Sequence, residues 1–163
     1  MKIILIRHGD AGAYTHPDNE RNLSELGKTQ ACQSATWLEN WTTNHTRPTL
    51  FISSPYNRAV QTCAIIKQNF ANIPYQVFDN ITPNDDANIA INKLSDLLSK
   101  DLTDKTNKHA CVVIVSHMNI IAEMAGILTG QAPQSFSLAE VRVLKTDVFA
   151  PDLATEIERF IPN

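Results

Sequence analysis

Surplus positive charge is missing from this chain, whose 14 Lys and Arg stand against 17 Asp and Glu for a formal net charge of −3. Without a basic field there is nothing to gather a nucleic-acid backbone or an anionic lipid surface, so neither nucleic acid nor membrane is an expected partner. Cysteine is scarce as well. Cys32, Cys63 and Cys111 are odd in number and far apart, which excludes a disulfide framework and a Cys-x-x-Cys site. Buried free thiols in a reducing cytoplasm are the expectation. The opening Met1 to Ile6 is apolar, but Arg7 and Asp10 interrupt it before a signal-peptide core forms, so export is not expected. Asn22, Asn40 and Asn44 begin glycosylation sequons that matter only on the secretory route and are read as chance. Repeats, linkers and low-complexity tracts are also absent.

What is present fits one globular domain over residues 1–163, with 43% hydrophobic and 19% charged residues. Residues 2–6 form a continuous isoleucine-rich run, the pattern of a central strand buried on both faces. A helix can start at Ser24, carrying Leu26, Ala31, Ala35 and Leu38 to Trp41, and Pro48 forbids its continuation. A strand follows at Leu50 to Ser53. Pro55 then suits the first turn of a helix with Ala59, Val60, Cys63, Ile66 and Phe70 inward. A short strand near Tyr75 to Phe78, a helix from Asp86 to Ser99, a buried strand at Cys111 to Val115 and a helix from Ile120 to Leu128 closed by Gly130 come next. The tail, at 137–146 and 155–160, has the alternation of one or two edge strands. This order predicts a three-layer α/β/α sandwich around a mostly parallel central sheet.

Ligands of open α/β sheets bind beyond the carboxyl ends of the strands, and three such places here carry reactive side chains. They are Arg7-His8-Gly9-Asp10, Ser53 to Arg58, and Ser116-His117. A histidine at a strand end can be a nucleophile, a metal ligand or a structural side chain. A metal on His8 and His117 would face the fixed charges of Arg7 and Arg58 with only Asp10 nearby, so no metal and no cofactor are expected. An anion is favoured, because guanidinium forks match phosphate oxygens and a helix starting near Pro55 adds backbone donors. The same arginines make His8 costly to protonate and keep its lone pair available. Gly9 leaves room for the backbone to approach a ligand, or serves a turn. Asp10 orients Arg7 or caps a turn. Arg21 is a phosphate contact or a surface partner of Glu20 or Glu25. His16, His45 and His109 belong to polar, exposed stretches, and Trp37 and Trp41 share a helix face as core packing.

Arg7-His8-Gly9, then Ser54-Pro55 with Arg58-Ala59 and Gln61-Thr62, then Ser116-His117 resemble the histidine phosphatase superfamily, also called phosphoglycerate mutase-like. Arg7 to Asp10, Arg21 to Gly27 and Ile81-Thr82-Pro83 are similar to the compact SixA-like phosphohistidine phosphatases within it. The resemblance implies that His8 takes a phosphoryl group, that Arg7, Arg21, Arg58 and His117 bind its oxygens, and that water then hydrolyses the intermediate without a cofactor. Larger members place a glutamate after the third strand as general acid. This chain has Asn80 there, with Asp85 and Asp86 as weaker proton-donor candidates. A phosphoramidate demands less of an acid than an ester, which favours phosphohistidine on a signalling or phosphotransfer protein. Phosphatase action on a small phosphate ester and a non-catalytic phosphate-binding or interaction module are the alternatives.

Overall fold

The computed structural model describes residues 1–101 and 109–163, with nothing to be said of the side chains at 100 and 101. In chain order the elements are β1 (Lys2–Arg7), a 3-10 turn (Asp18–Glu20), α1 (Glu25–Thr42), β2 (Leu50–Ser53), α2 (Asn57–Lys67), β3 (Tyr75–Val77), α3 (Ala87–Asp101), β4 (Cys111–Ser116), α4 (Ile120–Thr129), β5 (Val141–Lys145) and β6 (Thr155–Phe160). One six-stranded sheet runs in the order β3-β2-β4-β1-β5-β6. The first four are mutually parallel, whereas β5 and β6 are antiparallel to their neighbours.

Alternation along the strands separates two cores. Ile3 and Leu5 of β1, with Val112 and Ile114 of β4, pack against α3 and α4; Ile4 and Ile6, with Val113 and Val115, pack against α1 and α2. Each fully buried aliphatic side chain contributes about 1.5–3 kcal/mol relative to exposure, which is why continuous apolar runs take the middle of the sheet. The three-layer α/β architecture is as expected from the sequence.

Helix α1 begins where Ser24 caps it, its hydroxyl accepting from the Gly27 N–H at 3.0 Å. Gly27, Ala31, Ser34, Ala35 and Leu38 form its buried stripe, while Leu26 sits one position off that stripe and is exposed. Helix α2 begins two residues later than Pro55 suggests: Tyr56 is its N-cap in an extended conformation, so Pro55 precedes the helix. Its inward side is Ala59, Cys63 and Ile66; Val60 is half-buried, and Phe70 is buried but beyond the helix end. Gly130 closes α4 with φ 67°, a left-handed cap that suits glycine.

Two further expectations are corrected. Strand β5 is no edge: it lies between β1 and β6 with Val141 to Leu144 buried, and β6 alone of the two borders solvent. Cys63 and Cys111 are buried thiols, but Cys32 falls on the outer face of α1 and is exposed. Trp37 does pack, stacking on Trp41 at 6.2 Å and on Phe160 of β6 at 5.4 Å. His16, His45 and His109 are exposed. Among the described residues, no helix is long and apolar enough to cross a membrane.

Candidate active site

The register of three parallel strands builds the site. Arg7 lies opposite Ser116 and Ser53 opposite Val115, so the chain leaves β1, β4 and β2 at one level. The exits stay in register: His8 N–H donates to the Ser116 carbonyl at 3.0 Å, and Ser54 N–H to that of Val115 at 3.0 Å. His8, Ser54 and His117 therefore converge, although 109 positions separate the two histidines in the chain. Their ring centroids are 5.0 Å apart. Arg58 enters from the first turn of α2, and its Nε donates to His8 Nε2 at 3.2 Å.

That contact defines the state of His8. Its Nδ1 faces the Gly9 carbonyl at 2.7 Å, an acceptor only, so the ring proton resides on Nδ1 and the lone pair on Nε2. Burial, helped by the charges of Arg58, Arg7 and Arg21 and opposed by the Gly9 bond, lowers the His8 pKa to about 4. For His117, burial, then His8, Arg58 and Arg7, lower it to about 2. Both rings are neutral at pH 7. His117 Nε2 lies 2.7 Å from the Ser54 hydroxyl, which also accepts a long bond from Tyr56 N–H. When the Ser54 hydroxyl donates to the ring, the His117 proton is on Nδ1.

Among the described residues, the buried side-chain nitrogens without a hydrogen-bond partner are Arg7 Nε, Arg21 Nε and His117 Nδ1. The two arginine nitrogens are donors, and the His117 nitrogen is one in its Nδ1–H tautomer. A buried donor left unpaired costs about 1–3 kcal/mol, so several on residues grouped near His8 suit a site for an acceptor-rich anion.

Asp18, which the sequence reading passed over, joins two of the guanidinium groups. Its carboxylate accepts from Arg58 at 2.9 Å and from Arg21 at 3.0 Å, and its carbonyl accepts from Arg58 at 2.7 Å. Burial pushes its carboxyl up, but the bonds and charges of Arg21 and Arg58 outweigh this and leave it below its ordinary value. The clue was its place three residues before Arg21 on a tight turn. Arg21 pairs with Asp18 and the Gly12 carbonyl, at 2.9 Å, rather than with Glu20 or Glu25.

Other candidates have local duties. Asp10 closes a turn, accepting from the Ser24 hydroxyl at 2.5 Å and from Gly12 N–H at 3.0 Å. The need for glycine at position 9 is helix packing: a Cβ there would lie 2.5 Å from the Gly27 carbonyl oxygen of α1. Asp85 accepts from Thr82 N–H at 2.6 Å, and Asp86 caps α3 by accepting from Asn88 and Ile89 N–H at 2.8 and 3.0 Å. Asn80 accepts from Lys93 at 3.1 Å.

A neutral imidazole whose lone pair meets the Arg58 guanidinium, among arginines and unpaired nitrogens at the ends of parallel strands, defines the class: an α/β domain built for phosphoryl chemistry. The profile of the histidine phosphatase superfamily (branch 1) matches residues 3–82. The chain is 31% identical over 153 residues to the phosphohistidine phosphatase SixA homolog of Haemophilus influenzae, covering 90% of this chain and 89% of that one. It is 25% identical over 150 residues to phosphohistidine phosphatase SixA of Escherichia coli, covering 90% and 86%. Its fold matches the protein histidine phosphatase SixA complexed with tungstate at a TM-score of 0.81, 22% identity and 99% and 97% coverage. The chain belongs to the histidine phosphatase superfamily.

Proposed function

We propose that this chain hydrolyses phosphohistidine carried on a protein, through a phosphorylated His8. The observation that carries the reading is the set of unpaired buried nitrogens, Arg7 Nε, Arg21 Nε and His117 Nδ1, on residues grouped near His8. In the first half-reaction Arg58 Nε turns from His8 Nε2 to a phosphoryl oxygen, Nε2 attacks phosphorus, a new N–P bond forms, and the substrate's N–P bond breaks as its imidazole departs and takes up a proton from solvent. Arg7, Arg58, Arg21 and the Nδ1–H of His117 hold the phosphoryl oxygens as charge shifts among them. In the second, water attacks phosphorus, the His8 N–P bond breaks, and orthophosphate leaves with His8 again neutral. Positioning and electrostatics suffice for both steps, and the reading needs no metal or cofactor.

Support for the substrate comes from two directions. Both curated relatives described above are named phosphohistidine phosphatases. Asp85 and Asp86, the candidate proton donors, are engaged in local bonds, as is Asn80, so neither candidate stands ready to protonate the alcohol of an ester. The unpaired cysteines suit a reducing compartment, and we place the protein in the cytoplasm.

The test is direct. A labelled phosphodonor leaves acid-labile label on His8, and none on His8→Ala. Turnover of a phosphohistidine-bearing protein exceeds that of small phosphate esters. Base-stable label on both proteins overturns the nucleophile, and turnover of esters alone overturns the substrate.

A further inference from the structure

Behind Arg7 lies an ion pair that the reaction itself does not use. Glu140 and Arg142 both face the α3 and α4 side of the sheet, with side chains only 2% exposed each, and Arg142 Nε meets Glu140 Oε1 at 2.6 Å. A buried pair of this kind rarely adds stability over an apolar replacement, so its presence asks for another reason.

Its bonds supply one. Arg142 donates from Nη1 to the Gln134 carbonyl at 3.3 Å and from Nη2 to that of Ser135, and its guanidinium lies 3.8 Å from the Phe136 ring centroid. Glu140 accepts from Ser137 N–H at 2.6 Å with its other oxygen. The loop 134–137 is thus gripped at successive residues. Phe136, in the middle of the grip, presents its carbonyl to Arg7 Nη1 at 2.7 Å. The same segment also holds the backbone of β1 and its exit: Arg7 N–H donates to Glu140 O at 3.2 Å and Ala139 N–H to His8 O at 3.2 Å.

We infer that Glu140 and Arg142 are positioning residues for phosphate recognition: they set the Phe136 carbonyl, which in turn aims the free Nε edge of Arg7 at the phosphoryl group. The inference rests on the reading of Arg7 as a phosphate ligand. A guanidinium offers its five donors in a rigid fork, so holding one Nη fixes the direction of the rest. Only Arg has the planar reach to bond Gln134, Ser135 and Glu140 at once while stacking on Phe136. Lysine keeps the charge and loses the fork.

Orthophosphate, the reaction product, is the probe, with binding measured by calorimetry on the full chain. Arg142→Met alone leaves the buried Glu140 carboxylate only its longer contact with Arg159 at 3.7 Å and can fail to fold, so the working variant is Glu140→Gln with Arg142→Met, which removes both charges of the pair and keeps the volume. This double variant binds phosphate about tenfold more weakly, the loss expected when one charge-assisted hydrogen bond is misaligned, while its melting temperature stays near that of the parent. Arg142→Lys recovers only part of the affinity. In an Arg7→Ala background the same double change has no further effect on phosphate binding. Additive losses in that background, or an unchanged affinity with Arg7 present, overturn the positioning role. If Arg7→Ala itself leaves phosphate binding intact, the reading of Arg7 falls first, and the inference with it.

Discussion

Arg58 is held by Asp18, through carboxylate and carbonyl, on a partly exposed turn, and Arg7 by the carbonyl of the buried Phe136. On the first side, Asp18 with 28% side-chain exposure bridges Arg58 and Arg21 from a short turn. On the second, Phe136 presents its carbonyl from a loop pinned by Glu140 and Arg142, both 2% exposed. An exposed charge pair is screened by salt and sensitive to pH, whereas a buried, hydrogen-bonded one holds its geometry across conditions. The first wall can adjust to the substrate; the second keeps one guanidinium in place.

Both walls exist to serve His8, so His8→Asn gives the largest effect: turnover falls by roughly three orders of magnitude or more and no phosphoenzyme forms in a trapping assay. Removing each wall's arginine separates them. Arg58→Ala and Arg7→Ala each lower kcat/KM by roughly 10²–10³-fold, as loss of a transition-state charge contact does. Salt titration of the parent then sharpens the comparison. If Arg58→Ala abolishes the salt dependence and Arg7→Ala leaves it, the contrast between the walls stands; equal dependence breaks it.

The histidines between the walls govern stability. Because burial lowers both pKa values, the unfolded chain takes up protons below about 6.5 while folded His8 does so only near 4 and His117 near 2. Stability is therefore complete above about pH 6.5 and declines as pH falls below it, by up to about 1.4 kcal/mol per pH unit for each buried ring. Denaturant melts from pH 7 to 4.5 test this, and His117→Gln should flatten the slope; a slope unchanged by that substitution removes His117 as a source.

Asp18→Asn gives the smallest change. KM rises about threefold as the Arg58 fork loses its outer support, and the difference shrinks at high salt because the pair is partly exposed. The lowered carboxyl of Asp18 also contributes stability that is present above about pH 4 and lost as pH falls through its folded value, so acid melts of Asp18→Asn should differ from the parent only at higher pH. A fall in KM would show the carboxylate to compete with substrate for the arginines instead of steadying them.

The elements legible in the sequence were those with strong periodicity: the runs at 2–6 and 111–115, the stripe of α1, and Gly130 at the end of α4. Boundaries shifted where backbone geometry overrode composition, as at Pro55. The tail misled because Glu140 and Arg142 alternate with apolar residues, a pattern that reads as an edge strand with one face in water. Two charges at i and i+2 share a strand face, and here that face is buried by their satisfying each other and the loop 134–137. Asp18 and Phe136 escaped notice because one is an ordinary turn residue by type and the other acts through its carbonyl.

Residue type and short-range order alone determined which groups bring chemistry: an imidazole flanked by a guanidinium after a buried strand, a second arginine after another, a second histidine after a third. Tertiary structure decided which nitrogen of His8 carries its proton, which guanidinium nitrogens stay unpaired, and what holds each arginine from behind. These are properties of contacts between segments far apart in the chain, made by burial and by strand register, and no local pattern of side chains encodes them.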